Sequence, residues 1–452
     1  MKFYTSLFIL ICLPIIFSEE LGGLKAAITD DFINSVLVAF EDDIKDVLNG
    51  VRIDDREYLS NMIFYVPNFS LDKIDLSFGN DGLINIKISN LSPYLTGTVT
   101  YSVIFTTVSN NFKVTLNNFY LNAKIRIKSR QIASDQYAPD AEFVGDPELD
   151  FDINFEIDGI LGYIVEKILN FAGDFGKGII MPLIRDKFTE LLNDIFSDLP
   201  TEAQIGDFWV DYTLASPIRL NNKYLEINSY ALIYSKDFPE TKNRTRYSLS
   251  SLPDITANNQ LQLLVSEYTL NSAAFTFLTA YKINNILKYT ISTSFVNVML
   301  PDISKKYGVK NADISLLPKP ESKITITEEY MNIELPGTFY VTVEDVENPV
   351  FVCELDLAFK AQANIEYGPK ITAKINELNA TIKEILVNEA TTATEEKIQS
   401  GLDLIKNALV PVANEYIKKY ASLPFPSIMG LDFTDAQAQH KNGYLLLNLN
   451  IK

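Results

Sequence analysis

The chain has 452 residues, a formal net charge of −19 at pH 7, and 47% hydrophobic residues. Its length supports two domains that each bury a substantial core, and its negative charge argues against nucleic-acid binding and against general attraction to anionic membranes. The mean hydropathy of +0.05 is high for so acidic a chain. A ligand pocket lined by apolar side chains and a large buried β core would explain that value equally well.

Residues 1–18 have the pattern of a secretory signal peptide. Lys2 precedes an apolar run from Leu7 to Phe17, and Ser18 suits the cleavage site. The run is shorter than the ~20 apolar residues that cross a bilayer. We therefore expect a soluble mature protein that is secreted or held in the lumen of the secretory pathway.

Cysteines and glycosylation sequons agree with this route. Cys12 lies inside the signal, so Cys353 is the one cysteine of the mature chain, and an intramolecular disulfide cannot form. The apolar, strand-like surroundings of Cys353 predict a buried structural residue. Sequons also arise by chance in an asparagine-rich chain, and here they predict glycosylation at Asn68, Asn90, Asn243 and Asn379.

The first predicted helix runs from about residue 30 to residue 48, with Thr29 as its N-cap. Apolar residues at every fourth position give this helix a wide apolar stripe. The stripe consists of Phe32, Val36, Phe40, Ile44 and Leu48. A sheet or a ligand has to cover such a stripe.

Alternating strands are predicted from about residue 62 to residue 157, most clearly where Ile84, Ile86 and Ile88 share one face. This alternation is typical of an antiparallel sheet with one face in water. One strand carries a row of cations, which are Lys124, Arg126, Lys128 and Arg130. The row could dock anionic headgroups, but the alternating acidic run 150–158 favours neutralisation by a neighbouring strand.

A long amphipathic helix is predicted from 159 to 199, with a break near the glycines 173–178 and Pro182, and it includes Ile160 and Ile164. Strands return from 205 to 234. The charged segment 236–246 contains a proline and a sequon, and it is the predicted linker.

The same order of elements then returns. The second copy opens near residue 263 and has a shorter apolar stripe from Leu270 to Tyr281, followed by strands from 287 to 365, a second long helix from 371 to 420, and a terminal strand from 443 to 451. The first half of the second long helix rests on the spacing of Ile375, Leu378, Ile382, Ile385 and Leu386. Two copies of one apolar helix-and-sheet unit indicate a two-lobed container.

Two stretches of sequence carry a resemblance to a known family. The run 266–273, Ser-Glu-Tyr-Thr-Leu-Asn-Ser-Ala, opens the second copy, and the chain ends with Leu423-Pro424-Phe425-Pro426 through Gly443-Tyr444-Leu445-Leu446-Leu447. Together with the repeated order of elements, these stretches resemble the family of bactericidal/permeability-increasing protein, lipopolysaccharide-binding protein and cholesteryl ester transfer protein, the tubular lipid-binding proteins. The resemblance covers essentially the whole mature chain.

The resemblance implies an α+β fold of two pseudo-repeated elongated barrels, joined by a central antiparallel sheet in a boomerang. Each barrel would be a curved antiparallel sheet with one short and one long helix. The lobes would span residues 19–235 and 247–452, and each would hold a phospholipid or other acyl lipid in an apolar pocket. Two family features are missing, because the disulfide of the N-terminal lobe cannot form and no strongly cationic N-terminal tip is evident.

Helical periodicity, not a family motif, selects the candidate lipid-binding residues. For the first pocket they are Phe32, Val36, Phe40, Ile44, Ile160 and Ile164. For the second pocket they are Leu270, Ala274, Phe277 and Leu278. Each of these residues could equally belong to a dry core.

The leading hypothesis is a lipid carrier or transfer protein that has no cofactor, metal or covalent chemistry and meets membrane or lipoprotein surfaces transiently. The alternative is an innate-defence protein that recognises microbial amphiphiles such as lipopolysaccharide. An esterase is disfavoured because the chain has no Gly-x-Ser-x-Gly elbow. Its one histidine, His440, lies in a polar segment where we expect exposure to solvent.

Overall fold

The structure is a computed structural model that describes residues 21–450 except 40–48, 54, 56–58, 68, 104–105, 134–135, 158–200, 206, 256–258, 281–286, 367–369, 421–422 and 425–435. The α-helices of these residues are α1 (Asp30–Ala39), α2 (Glu267–Ala280), α3 (Thr293–Val296), α4 (Ile303–Tyr307) and α5 (Glu395–Tyr420). Short 3-10 helices lie at Leu71–Lys73 and Pro239–Thr241.

Strands make up most of the remaining described chain. In the first half they are β1 (Leu21–Gly22), β2 (Leu24–Ile28), β3 (Val51–Ile53), β4 (Leu59–Tyr65), β5 (Ile74–Phe78), β6 (Ile84–Leu91), β7 (Tyr94–Val103), β8 (Thr106–Ala133), β9 (Gln136–Phe143), β10 (Glu148–Ile157), β11 (Glu202–Ile205), β12 (Phe208–Asp211), β13 (Arg219–Leu220), β14 (Leu225–Ser229) and β15 (Leu232–Tyr234). In the second half they are β16 (Ser250–Ser251), β17 (Leu261–Ser266), β18 (Leu287–Ser292), β19 (Asn311–Pro318), β20 (Lys323–Ile326), β21 (Met331–Val343), β22 (Phe351–Glu366), β23 (Lys370–Asn388), β24 (Leu423–Pro424), β25 (Gln437–Lys441) and β26 (Tyr444–Leu449). The strand pairs that build the large sheets are antiparallel, which confirms the predicted α+β class.

A six-stranded sheet in the order β13-β14-β2-β17-β26-β25 joins the two copies. Its inner strands, β2 and β17, run antiparallel with Ala26 opposite Leu263. Each inner strand leads into a helix, α1 or α2, and each is flanked by a hairpin, β13-β14 or β25-β26. The central sheet is therefore symmetric about the β2-β17 pair, as a duplicated unit requires.

Each copy also has a large sheet of its own. The first has the order β3-β4-β7-β8-β6-β5, with β9 and β10 also paired to β8, and the second has the order β18-β19-β21-β22-β23-β24, with β20 paired to β21. The strand pairings of the two sheets correspond. In the first sheet β4 pairs with β7 and β5 pairs with β6, and in the second sheet β19 and β20 pair with the two ends of β21. The main difference is a break at Ser92 and Pro93 between β6 and β7, where β21 is continuous.

The predicted second long helix is wrong in its first half. Lys370–Asn388 forms strand β23, and helix α5 begins only at Glu395. Three register shifts along the β22-β23 pair mark bulges, each of which adds one residue to β23. At the first bulge the inward-facing residues Ile375 and Leu378 stand three positions apart instead of two, and this spacing imitates a helix.

Three of the four cations in the basic stretch of β8 form ion pairs, but the predicted acidic partner strand is wrong. β10 carries the acidic run and pairs with residues 112–122 of β8, before the basic stretch begins. The basic stretch pairs instead with β9, and a strand of 28 residues has room for both neighbours. The ion pairs are Lys124–Asp81, Arg126–Glu142 and Lys128–Glu142.

The segment predicted as a linker, 236–246, packs closely against the strands β12 and β15 and against α2. Arg244 Nε lies 2.7 Å from Asp211 Oδ2, and Asp211 is buried. Cations of the segment also lie over aromatic rings, in the pairs Lys236–Trp209, Lys242–Tyr234, Arg244–Tyr230 and Arg246–Phe275. Residues 1–18, the second half of the first predicted helix and the predicted long helix 159–199 lie outside the described residues.

Buried apolar side chains form one continuous cluster under the central sheet and separate clusters at the far end of each lobe. The first cluster combines the inner face of the central sheet with the near end of both lobes, and we call these near ends proximal. The other two clusters fill the ends that lie away from the central sheet, which we call distal. Cys353 is buried in the distal cluster of the second lobe, as predicted.

Candidate functional site

Helix α2 is held on two sides by hydrogen bonds from its own polar side chains. On one side, Ile233 N–H of β15 donates to Ser272 Oγ at 3.0 Å, and Thr276 Oγ1 donates to Ile233 O at 2.8 Å. On the other side, Asn271 exchanges hydrogen bonds of 2.8 and 2.7 Å with the C=O and N–H of Ile324 in β20. The orientation of the helix about its axis is therefore fixed.

The remaining face of α2 is apolar, and Leu270 and Ala273 of this face pack in the proximal cluster. At about 100° per residue, Leu270, Ala273, Ala274 and Phe277 share this face, away from the polar anchors. Leu270 is buried in the proximal cluster, whereas Ala273, Ala274 and Phe277 are only half-buried. Of the predicted stripe, Leu270 thus lies in the proximal cluster, the ring centroid of Phe277 lies 6.4 Å from that of Phe208 in β12, and Leu278 is half-buried.

The wall opposite α2 divides into a closed distal part and a partly open proximal part. Odd-numbered residues of β22 point inward, and Phe351, Cys353 and Leu355 at the distal end are at most 3% exposed. Nearer the central sheet the inward-facing Phe359 and Ile365 keep accessible surface, and so do Ile324, Ile333 and Ala373 on the neighbouring strands. Inward-facing apolar side chains that remain half-buried border space instead of packed protein atoms. The proximal interior is therefore the candidate site.

Helix α5 borders the site, and two amide side chains fix it to β23. Gln399 Oε1 accepts from Ile382 N–H at 2.9 Å while its Nε2 donates to Ala380 O at 2.8 Å. Asn414 binds both backbone groups of Ile375 in the same way, at 2.6 and 3.0 Å. Both amides meet β23 next to its bulges, and they fix the position of α5 on the sheet.

The first lobe repeats this arrangement in its described part. Phe32 and Ile33 of α1 are buried in the proximal cluster, and Asn34 Nδ2 donates to Leu76 O of β5 at 3.1 Å. Asn34 is the fifth residue of α1, as Asn271 is of α2, and β5 corresponds to β20. The side chain of Val36, and all of Phe40, Ile44, Ile160 and Ile164, lie outside the described residues.

Sequence comparison connects this architecture with known proteins. The model named "LBP / BPI / CETP family, C-terminal domain" matches residues 206–452, which is more than half of the chain. The chain belongs to the LBP / BPI / CETP family. The matched residues include α2, the whole sheet of the second lobe and α5, which are the elements that surround the candidate site.

Individual relatives of this LBP / BPI / CETP family member are distant. A bactericidal permeability-increasing protein from Sebastes schlegelii is 21% identical over 288 residues, which are 60% of this chain and 59% of the relative. A crystal structure of lipopolysaccharide binding protein is 16% identical, with a TM-score of 0.48 and coverage of 96% of this chain and 99% of that one. The P47 protein of Clostridium botulinum E1 is 12% identical, with a TM-score of 0.29 and coverage of 96% and 100%.

Two surface grooves of this family member do not coincide with the candidate site. An open groove of about 910 Å³ lies between β23 and the start of α5, and its walls include Thr381, Glu395, Glu396 and Asp403. A second groove of about 440 Å³, near Asn61 and Lys113, has a mostly polar lining. None of the candidate lipid-binding residues whose side chains the structure describes lines either groove. In the described part of the chain, no cluster of His, Cys, Asp and Glu side chains is arranged to hold a metal ion, and no helix is long and apolar enough to cross a membrane.

His440 is half-buried in β25, so the prediction that it is exposed is wrong. Its Nε2 accepts a hydrogen bond from Ala363 N–H at 3.1 Å. Ala363 is free to make this bond because β21 begins at Met331, opposite Ala361, so the last residues of β22 have no β21 partner on that edge and contact the hairpin β25-β26 instead. Desolvation by burial lowers the pKa of His440 below its ordinary value. Among the predicted sequons, Asn90, Asn243 and Asn379 are exposed, and Asn68 lies outside the described residues.

Proposed function

We propose that the chain is a secreted lipid-binding protein that holds phospholipid-like acyl lipids in the proximal interior of each lobe and carries them between surfaces. The observation that supports this proposal is the partly open, apolar wall of the second lobe, where Ile333, Phe359 and Ile365 pack against the proximal cluster without being fully buried. A dry core would bury these residues as fully as the distal cluster buries Phe351 and Cys353.

The chemistry of the wall suits an acyl chain. Moving a chain from water into an apolar enclosure contributes about 0.8 kcal/mol per CH₂, so a long tail needs area rather than directed polar contacts. The apolar side chains that pack on the proximal cluster carry no charge, and Asn271, Ser272 and Thr276 of α2 are engaged with backbone groups of β20 and β15. The expected ligand is therefore held by its tail.

The organisation of the chain follows from this proposal. Residues 1–18 act as a signal peptide, 19–235 and 247–452 form the two lipid-binding lobes, and 236–246 links them. Glycosylation at Asn68, Asn90, Asn243 and Asn379 fits a secreted protein. The ligands of the first lobe include Phe32, Val36, Phe40, Ile44, Ile160 and Ile164, and those of the second include Leu270, Ala274, Phe277 and Leu278.

The second candidate is recognition of microbial amphiphiles. The relative from Sebastes schlegelii bears the name of a bactericidal protein, which favours this candidate. The net charge of −19 argues against strong attraction to anionic lipopolysaccharide, so we place lipid carriage first.

Extraction of the native protein tests the proposal. Purified protein from a eukaryotic secretory host is extracted with organic solvent, and the extract is analysed by mass spectrometry. We expect up to one acyl lipid per lobe, and acceleration of fluorescent phospholipid exchange between vesicles. Protein that yields no lipid, takes up none from detergent solution and leaves exchange unchanged would contradict the proposal. Salt-sensitive binding to endotoxin with no lipid exchange would favour the second candidate.

A further inference from the structure

Large apolar side chains are concentrated in solvent at the distal end of the second lobe. In the described residues, the exposed large hydrophobic side chains are Val38, Tyr289, Phe295, Val298, Val309, Leu386 and Leu404. Phe295, Val298, Val309 and Leu386 all belong to the distal end, and Val309 is 75% exposed. Single exposed apolar residues are ordinary on protein surfaces, but a concentration of this kind marks an interaction site.

Hydrogen bonds hold two of these residues side by side. Thr293 at the start of α3 donates from its N–H to Lys310 O at 2.9 Å and from its hydroxyl to Gly308 O at 2.8 Å. Val309 lies between these two bonded positions, and Phe295 is two residues after Thr293. The apolar side chains are therefore presented by an ordered part of the fold.

Packing brings the other two residues to the same end. The start of α5 crosses Val298 so closely that a Cβ atom on Gly401 would lie 2.2 Å from Val298 O. Leu386 occupies the last bulge of β23, and the carbonyl of Glu389 three residues later accepts from Tyr307 Oη of α4 at 3.1 Å. One end of the lobe thus carries all four exposed side chains.

Cations accompany these apolar side chains. The segment 292–310 contains three lysines and one acidic residue, so it is positive in a chain whose net charge is −19. Lys310 pairs with Asp345 at 3.1 Å, whereas the exposed Lys305 and Lys306 form no ion pair in the described part of the chain. The Nζ of Lys306 donates to Glu389 O and lies over the ring of Tyr307, which holds this ammonium group at the distal end. Apolar side chains beside ammonium groups complement a phospholipid surface, in which acyl chains lie beneath phosphates.

We propose that the distal end of the second lobe docks the protein onto a phospholipid surface through Phe295, Val298, Val309 and Leu386, with Lys305 and Lys306 at the phosphate level. The surface is zwitterionic, because the overall charge of −19 repels an anionic membrane. The same repulsion disfavours a second copy of the chain as the partner. This inference rests on the proposed function, for which docking supplies the step that brings the lobe to its lipid source.

A dye attached to a cysteine at position 309 reports the docking directly. Val309→Cys is labelled with an environment-sensitive fluorophore, and Val38→Cys, at another exposed position, is the matched control. Cys353 does not compete for the dye, because burial raises its pKa to about 12 and shields its thiol. With phosphatidylcholine vesicles we expect a blue shift at position 309 and none at position 38.

A variant tests the energetic role of the patch. Phe295→Ser/Val298→Ser/Val309→Ser should lower partitioning onto phosphatidylcholine vesicles by roughly tenfold or more. The control Val38→Ser/Leu404→Ser also removes exposed apolar side chains and should partition as the wild type does. Both variants should keep the wild-type unfolding midpoint, because the substituted side chains are largely in solvent.

Lipid loading from detergent solution separates this inference from the proposed function. If the patch variant loads lipid as the wild type does but loses vesicle binding, docking is supported. If the wild type docks through position 309 but loads no lipid, the proposed function fails and the docking surface stands. An unchanged dye at position 309, wild-type vesicle binding by the patch variant, or a dimer in light scattering that only this variant disrupts would overturn the inference.

Discussion

The side-chain amide of Asn271 in α2 forms two hydrogen bonds with the backbone C=O and N–H of Ile324 in β20. These are the two backbone groups that a neighbouring strand would otherwise bind. Asn271 Nδ2 donates to Ile324 O at 2.8 Å, and Asn271 Oδ1 accepts from Ile324 N–H at 2.7 Å. Asn34 makes one half of the same contact in the first lobe, where it donates to Leu76 O. The amide therefore sets the angle at which the apolar stripe of each short helix enters its lobe.

Replacing this amide should loosen the second lobe. Asn271→Leu leaves the N–H and C=O of Ile324 without partners, and we expect the free energy of unfolding in urea to fall by about 1–3 kcal/mol. Asn34→Leu removes a single contact and should cost less. Equal losses in the two variants would show that the paired contact has no special role in the second lobe.

The buried ion pair of the central sheet gives a second prediction. Lys25 Nζ lies 3.6 Å from Glu226 Oε1, and both side chains are almost fully buried. Glu226→Leu leaves the ammonium group buried without its carboxylate, so the free energy of unfolding should fall by roughly 3–5 kcal/mol.

The other half of the central sheet supplies the control for this ion pair. By the symmetry of β2 and β17, Gln262 stands where Lys25 does, and Leu446 stands where Glu226 does. The double variant Lys25→Gln/Glu226→Leu places the same uncharged residues, glutamine and leucine, at the two positions and should recover most of the lost free energy of unfolding. A double variant as unstable as Glu226→Leu alone would contradict this view of the sheet.

Filling the proximal interior should block lipid uptake without unfolding the lobe. Ala273→Trp on α2 and Ala373→Trp on β23 each add a large side chain at a half-buried position that packs against the proximal cluster. We expect severalfold less fluorescent lipid bound at saturation in either variant, with Leu404→Trp on the exposed side of α5 as the control. If both interior variants bind lipid normally while remaining folded, the ligand lies elsewhere.

The hydrogen bond of His440 predicts a dependence of stability on pH. The folded-state pKa lies below the ordinary value of 6.5. As the pH falls through 6.5 toward the folded-state pKa, the unfolded chain binds more protons than the folded one, so the free energy of unfolding decreases. The contribution of neutral His440 is fully present above 6.5 and is lost below the folded-state pKa.

His440→Gln isolates this effect, because the amide oxygen can accept from Ala363 N–H but does not titrate in this range. Urea unfolding of both proteins from pH 7.5 to pH 5 should give a shallower decline in the variant. Parallel curves would show that His440 does not couple the hairpin β25-β26 to the second lobe in a pH-dependent way.

The duplication was predictable because both copies carry the same order of hydrophobic patterns, and the symmetric central sheet confirms it. The strand β23 was not predictable from spacing. Its bulges move the inward-facing positions from a period of two to steps of three at Ile375–Leu378 and Ile382–Ile385. A period analysis reads these steps as a helix, and only pairing with β22 decides between them.

The candidate site was predictable in part. Periodicity placed Leu270, Ala274 and Phe277 on one face of α2, and the structure places Leu270 in the proximal cluster. The amide contacts of Asn271, Gln399 and Asn414 had no sequence signal, because a polar residue inside a helix is usually solvated. The opposite wall was not predictable either, since strand alternation alone does not show which part of a lobe is packed closed.

Photo-crosslinking with a lipid that carries a diazirine in its acyl chain shows whether the acyl chain lies in the proximal interior of the second lobe. The loaded protein is irradiated and digested, and the modified residues are located by mass spectrometry. The account expects crosslinks within α2 and on inward-facing residues of β22 and β23 near Phe359, Ile365 and Ala373. Crosslinks confined to outer surfaces, or their absence from protein that has taken up the lipid, would contradict it.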